Sequence, residues 1–345
     1  MIDGLLAASQ GKLLEGFRAS LLTGAIAVLI SWLLTPWVRK LAFRYGAVDD
    51  PKRDDRRVHK EPLPRWGGMA IFGGIVAAVA AILPFAYPYQ PFPPYVLGLF
   101  GVGALIVVVG ALDDLYQFSA KVQLLFLVLA GVVIQFIFEG SSRVQIAGIN
   151  WPLFSTGGDW VPFGLWAIPV TAFYLFVITK TMDTIDGIDG LASGISAIAG
   201  GTLSVIATYE GQPRVAIIAA AVAGAAIGFL RHNYNPAKII MGTGGAQLFG
   251  FLLGCLSIVG AMKTAAAMAI IVPMLVFGIP LLDAVQVVIR RKISGVPITQ
   301  ADKRHIHHQL LDKGLSQRQA VWVLYAAALM LSGALVFLVK VYGTP

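Results

Sequence analysis

The aspartates of this chain come in a few tight groups. Leu112-Asp-Asp114 holds an adjacent pair, and Asp183, Asp186 and Asp189 recur at every third position in Thr181-Met-Asp-Thr-Ile-Asp-Gly-Ile-Asp-Gly190. Arg231-His-Asn-Tyr-Asn235 and Lys238 lead into Met241-Gly-Thr-Gly-Gly245. Asp283 stands in an apolar stretch, and Asp302-Lys-Arg-His-Ile-His-His308 places three histidines within four positions. Repeated carboxylates beside glycines are hard oxygen ligands with room for close approach. They suit Mg²⁺, which takes one or two carboxylates plus substrate phosphates and keeps several waters; Mn²⁺ is the alternative. Histidine, lysine and arginine in one loop offer charge-assisted donors to a polyphosphate. The combination predicts phosphoryl-type transfer, in which positioning and charge neutralisation supply most of the catalysis.

Each group has a plainer reading when taken alone. Aspartates favour helix boundaries, and Asp-Gly pairs make tight turns. Histidines near a membrane are commonly interfacial surface residues, and the absence of any cysteine near them gives zinc no support. What favours a shared site is where the groups fall along the chain, and that depends on the elements that carry them.

Of 345 residues, 57% are hydrophobic and 13% charged, about half the charge of a soluble domain, and the mean hydropathy is +0.77. No core of this size hides so much apolar surface from water, so the bilayer is the second solvent. The one cysteine, Cys255, excludes an intrachain disulfide and a cysteine-ligated cluster. Residues 1–18 read as a short amphipathic lead-in, and the first apolar run is too long for a cleaved signal. Residues 19–345 read as a single polytopic catalytic domain. Ten spans are expected, at roughly 19–40, 66–84, 94–112, 121–138, 163–181, 190–208, 213–230, 246–262, 265–290 and 320–340, each near the 20 residues needed to cross. The ninth is long, and Pro280 is expected to kink it. Residues 141–160 alternate polar and apolar and read as an external hairpin.

Lysine and arginine set the orientation. Arg44, Lys52, Arg53, Arg56, Arg57, Lys60 and Arg65 crowd the first loop, and Arg291, Lys292, Lys303, Arg304, Lys313 and Arg318 crowd the ninth. The odd-numbered loops are thus expected in the cytoplasm and both termini outside. The net charge of +8 is then first a topology signal and second an attraction for anionic lipid or phosphate, with no nucleic-acid partner. Every acidic and histidine motif falls at a cytoplasmic end on this topology. Ionisable residues at membrane helices are functional suspects by default, which strengthens the case for Asp113, Asp114 and Asp283 in particular.

These motifs resemble the polyprenyl-phosphate N-acetylhexosamine-1-phosphate transferase family, which includes phospho-N-acetylmuramoyl-pentapeptide transferase. The resemblance runs from about Val48 to Ala320. Asp49-Asp-Pro51, Pro64-Arg-Trp-Gly-Gly68, Gly110-Ala-Leu-Asp-Asp114, Ile185-Asp-Gly-Ile-Asp-Gly-Leu-Ala192, Asn235-Pro-Ala-Lys238 with Gly242, and Pro280-Leu-Leu-Asp283 with Arg290-Arg291 carry it. The last loop, His305-Ile-His-His308, is similar to the N-acetylglucosamine-type branch rather than the muramoyl-pentapeptide branch. The resemblance implies an all-α integral membrane protein of about ten spans with a cytoplasmic active-site cleft, in a bacterial-type cytoplasmic membrane. It implies transfer of a sugar 1-phosphate from a UDP-N-acetylhexosamine to undecaprenyl or another polyprenyl phosphate, with Mg²⁺ and release of UMP. Carried over by position, Asp186 is the main metal ligand, with Asp183 beside it. Asp113 and Asp114 lie by the lipid phosphate, one of them as its base, and Asp283 is a further catalytic carboxylate. Lys180, Asp189, Asn235, Lys238, Thr243, Arg304, His305, His307 and His308 surround the substrates. Direct attack by the lipid phosphate and a covalent aspartyl intermediate both stay open, as does a homodimer.

Four positions depart from the family pattern. Lys180 and Asp183 stand where two asparagines are usual, Thr243 where an aspartate follows the glycine, and Gln117 where an acid follows the aspartate pair. Lys180 and Asp183 are three apart and would share a helical face as an ion pair. An acid lost at Thr243 and one gained at Asp183 leave the local acid count unchanged. The expected reading is a variant subgroup; the alternatives are the muramoyl-pentapeptide activity and an inactive envelope-assembly scaffold. A transporter is disfavoured, since transporters hold their charges near mid-membrane in repeated halves.

Overall fold

The computed structural model describes residues 2–50, 61–87, 92–138, 143–151, 159–261, 277–293 and 305–342. In chain order its helices are α1 (Ile2–Arg44), α2 (Gly67–Ala86), α3 (Pro94–Tyr116), α4 (Ala120–Val133), α5 (Ala167–Ile185), α6 (Leu191–Tyr209), α7 (Pro213–Asn233), α8 (Gly242–Ala261), α9 (Gly278–Ile293), α10 (Ile306–Asp312) and α11 (Gln317–Tyr342). Two small antiparallel ribbons complete it: β1 (Val48–Asp49) with β2 (Leu63–Pro64), and β3 (Gly148–Trp151) with β4 (Asp159–Pro162). The second is the hairpin expected within residues 141–160, in the register Gly148 opposite Pro162.

Local chemistry explains several boundaries. Pro94 and Pro213 open α3 and α7 at a first-turn position, where a missing N–H breaks no helical bond. Gln117, in the left-handed region at φ 52°, ends α3. Ser119 caps α4 by accepting from the Val122 N–H, the usual service of serine there. Residues 2–16 are helical and run continuously into the first span, Phe17–Arg44.

Among the described residues eight helices are long and apolar enough to cross a membrane. The expected fourth span is shorter, an apolar helix over Ala120–Phe136 that ends in a 3-10 turn. The expected ninth span is described only from α9 onward. Pro280 lies in the first turn of α9, where proline is tolerated. Any kink would involve residues 265–276, outside the described residues.

The bundle is organised around α8, whose residues from Ala246 to Leu256 are almost wholly buried. It packs against α2, α3, α5, α6 and α7. The outer faces of α1, α3, α4 and α11 expose Leu29, Leu33, Leu105, Val108, Leu125, Leu129, Leu329 and Phe337, as lipid-facing surfaces should. Close approach around α8 depends on glycine. A Cβ on Gly110 would lie 2.2 Å from Gly244 Cα, and one on Gly68 would lie 2.5 Å from the Gly245 nitrogen. These contacts draw α2, α3 and the start of α8 together at one end of the bundle, where small residues permit such crossings.

Candidate active site

At that end, the last turn of α3 meets the start of α8. Asp114, its side chain 1% exposed, accepts from Arg65 Nη1 at 3.2 Å and from the Thr243 N–H at 3.2 Å, both through Oδ1. Arg65 reaches its other way to Asp49 Oδ1 at 2.8 Å. Gly242, at φ +71°, passes so near that a Cβ would lie 2.2 Å from Asp114 Oδ2. That Oδ2 is buried and has no hydrogen-bond partner. A buried, unsatisfied carboxylate oxygen is costly and calls for an explanation.

Asp113 is committed elsewhere. Its Oδ1 accepts from the Phe118 N–H at 2.8 Å, and both its oxygens accept from Gln123 Nε2 at 3.1 and 3.2 Å. Gln123 in turn accepts from Lys180 Nζ at 2.8 Å, and Lys180 pairs with Asp183 Oδ2 at 2.5 Å. The ion pair that the three-residue spacing predicts is present, and Gln123 links it to the aspartate pair. Asp183 keeps only one oxygen outside that pair.

Asp186 caps the C-terminus of α5 and accepts no hydrogen bond from any described residue. It keeps some surface open to the cleft while lying deep among protein atoms. Burial, and then the carboxylates of Asp183, Asp189 and Asp114, push its carboxyl up to about 8; Arg65 opposes this. Next to it, a Cβ on Gly187 would lie 2.4 Å from His307 Nε2, so the histidine segment packs on this loop. His307 is buried, and neither ring nitrogen has a partner. Burial and its neighbours His308 and His305 lower it to about 3, against a smaller upward pull from Asp283. His305 bonds Asp283 Oδ2 through Nδ1 at 2.7 Å, and the Ile306 N–H donates to Asp283 Oδ1 at 2.6 Å. Asp283 therefore orients the His305 ring and holds the start of α10. The His308 ring lies 4.4 Å from that of His307.

Asp189 serves as a tether. Its Oδ2 accepts from Asn235 Nδ2 at 2.9 Å and from the Ala237 N–H at 3.0 Å. Asn235 also donates to Gln317 Oε1 at 2.7 Å, and its carbonyl accepts from Arg318. Lys238 is exposed, and its carbonyl accepts from Arg39 Nε at 3.0 Å. Arg304, with Asp302 and Lys303, lies outside the described residues.

Sequence reasoning missed three residues here. Arg65 was one charge in a basic loop, yet it joins Asp49 to Asp114. Gln123 carried no motif. Tyr325 on α11 donates to the Gly190 carbonyl at 2.5 Å and anchors the turn after Asp189. Only Arg65 had a signal, its place between Pro64 and Trp66-Gly-Gly68.

The donor set fits a divalent cation. Asp114 Oδ2 lacks a partner, and burial, reinforced by the neighbouring carboxylates, raises the Asp186 carboxyl. No three described acidic, histidine or cysteine side chains form a ready cage. Such a site suits an ion that completes its shell with phosphate and water.

Fold and cleft define a class: a multi-pass, all-α membrane protein whose carboxylates and histidines gather at one end. Residues 96–261 match the Glycosyl transferase family 4. The chain is 36% identical over 314 residues to a "probable undecaprenyl-phosphate N-acetylglucosaminyl 1-phosphate transferase" of Bacillus subtilis, covering 89% of this chain and 81% of the relative. It is 31% identical over 341 residues to the decaprenyl-phosphate N-acetylglucosaminephosphotransferase of Mycolicibacterium smegmatis, covering 89% and 79%. It is 28% identical over 313 residues to the undecaprenyl-phosphate alpha-N-acetylglucosaminyl 1-phosphate transferase of Escherichia coli K12, covering 88% and 80%. The chain belongs to this family, the polyprenyl-phosphate N-acetylhexosamine-1-phosphate transferases whose motifs it carries.

Proposed function

We propose that the protein transfers N-acetylglucosamine 1-phosphate from its UDP conjugate to a polyprenyl phosphate, releasing UMP, as the first membrane step of a cell-envelope glycan. The relatives' names support the acceptor and the sugar. The observation that carries the reading is the pair of under-satisfied carboxylates, Asp114 and Asp186, at the C-terminal ends of α3 and α5. The acidic end faces the cytoplasm, where a nucleotide sugar is available, and the termini lie outside.

An oxygen of the lipid phosphate attacks the phosphorus attached to the sugar. A new phosphorus–oxygen bond forms, the bridging bond to the UMP phosphate breaks, and UMP leaves with that bond's electron pair. Asp114 would hold the acceptor's phosphate proton or take it up, with Arg65 and the Thr243 N–H fixing its Oδ1. His307, packed on Gly187, shapes the far wall, and His305, oriented by Asp283, offers its other ring nitrogen to the diphosphate. Asp186 and Asp114 would hold a divalent cation, Mg²⁺ in first place, and that ion would supply the charge neutralisation that phosphoryl transfer needs.

The test is a panel of UDP-sugars offered to purified protein with and without polyprenyl phosphate. UMP release and a lipid product of sugar-phosphate mass are expected only with both substrates and a divalent ion. No release across the panel would remove the transferase reading. Asp186→Asn should abolish turnover without unfolding the protein.

A further inference from the structure

A second cavity, of about 720 Å³, opens between α1 and α7 at the same end of the bundle. One wall is apolar, formed by Val28, Trp32, Ile227 and Leu230; the rim carries Arg231 and Lys238. Arg39 adds a third cation, its Nε on the Lys238 carbonyl. No carboxylate lines the cavity. Among the described residues, neither Arg231 nor Lys238 forms an ion pair. Trp32 and Ile227 are also part of the exposed outer surface, so the apolar wall runs directly into the face that meets lipid tails. An apolar wall beneath unpaired cations at a membrane edge matches one chemistry, an anionic headgroup with its acyl chains running down the helices.

We propose that this cavity is a binding site for one anionic glycerophospholipid, separate from the catalytic cleft. The acceptor polyprenyl phosphate is not the occupant, because neither Asp114 nor Asp186 lines the cavity. The volume lies within the range of small-molecule pockets and accommodates a headgroup with the start of its chains. Asn235 borders the cavity while its amide holds Asp189. A bound headgroup therefore also braces the loop that tethers the Asp189 turn.

The test is lipid retention by the full-length protein, released from detergent and weighed by native mass spectrometry. Dioleoylphosphatidylglycerol and dioleoylphosphatidylcholine are offered at equal concentration. One phosphatidylglycerol should be retained in preference. Arg231→Gln should lower its retention roughly fivefold, and Arg231→Gln with Lys238→Gln roughly thirtyfold, from the usual worth of a cation near an anionic surface. Ile227→Trp, which fills the apolar wall without touching charge, should displace it as well. Arg143→Gln, beyond the far end of α4, should change nothing. Equal retention of both lipids, or retention undiminished in the double and Ile227→Trp variants, would overturn the proposal. Full competition by free glycerol phosphate would assign the site to a soluble anion instead, and displacement by equimolar polyprenyl phosphate would assign it to the acceptor; either result defeats it.

Discussion

Because an α-helix turns about 100° per residue, Asp113 and Asp114 leave α3 in different directions. Asp113 closes the turn at Phe118 and grips Gln123; Asp114 faces Gly242 with one oxygen unused. Their substitutions should differ in kind. Asp114→Asn should abolish turnover while the protein melts near its usual temperature. Asp113→Ala should instead cost about 2 kcal/mol of stability, by stranding the Phe118 N–H and the Gln123 amide, and retain measurable turnover. Equal loss of activity with equal stability in both variants would mean the pair acts as a unit. Two further residues write opposite pH dependences into the metal-free protein. Asp186 keeps its proton up to about 8 when folded, whereas an unfolded aspartate releases it near 4. Its contribution is full below about 4 and is lost as pH rises through 8. His307 refuses a proton down to about 3 when folded, whereas an unfolded histidine accepts one near 6.5. Its contribution is full above about 6.5 and is lost as pH falls towards 3. Between about 6.5 and 8 only Asp186 acts, so with chelator present the melting temperature should fall across that window. Asp186→Asn should flatten the fall, and a slope unchanged in the variant would rule out Asp186 as its source.

At the scale of elements, α4 and α5 are joined at the cleft through Gln123, which gives its amide hydrogens to Asp113 and its oxygen to Lys180. Reversing the ion pair as Lys180→Asp with Asp183→Lys restores the charges but presents Gln123 with a carboxylate on both sides. Activity of the double variant should therefore exceed that of either single one and stay below the parent. Parental activity would show that Gln123 contributes nothing, and equal damage in all three variants would sink the idea of a couple. The elements themselves were largely legible, because hydropathy reports the solvent that each helix faces. Seven of the expected spans coincide with long described helices from the first through the eighth, the fourth being short, and the last appears as α11. Helix ends were less legible. Asp113-Asp114 is expected to end its span, yet α3 continues to Tyr116, since aspartates with partners do not stop a helix. Arg65 was illegible for a related reason. Its partners lie 16 and 49 residues away, and no local spacing encodes a pairing brought about by the β1–β2 ribbon and the end of α3. The same holds for the bonds by which residues 64, 67 and 68 meet residues 240 and 241.

Across the whole molecule, the cleft depends on how closely α3, α2 and α8 approach. Gly110→Ala should push α3 off α8 at Gly244, cost about 1–3 kcal/mol as overpacking does, and lower turnover further by moving Asp114 away from Thr243. Gly101→Ala, where nothing lies within 4 Å of the added carbon, is the matched control and should be close to neutral. A gain in stability from Gly110→Ala would contradict the packing described. The glycine contact also foretells how variation could accumulate in this helix. Leu105, Val108 and Leu112 lie on the exposed outer face and can drift among apolar residues, whereas Gly103, Val107, Gly110 and Asp114 are bound to a neighbour at every turn. A saturation screen of α3 should therefore give a tolerance profile with a period near 3.6, permissive and forbidding residues alternating along one backbone. The line of intolerance should run straight to the carboxylate at the helix's end, so that the screen would trace the route to the active site before any substrate was known.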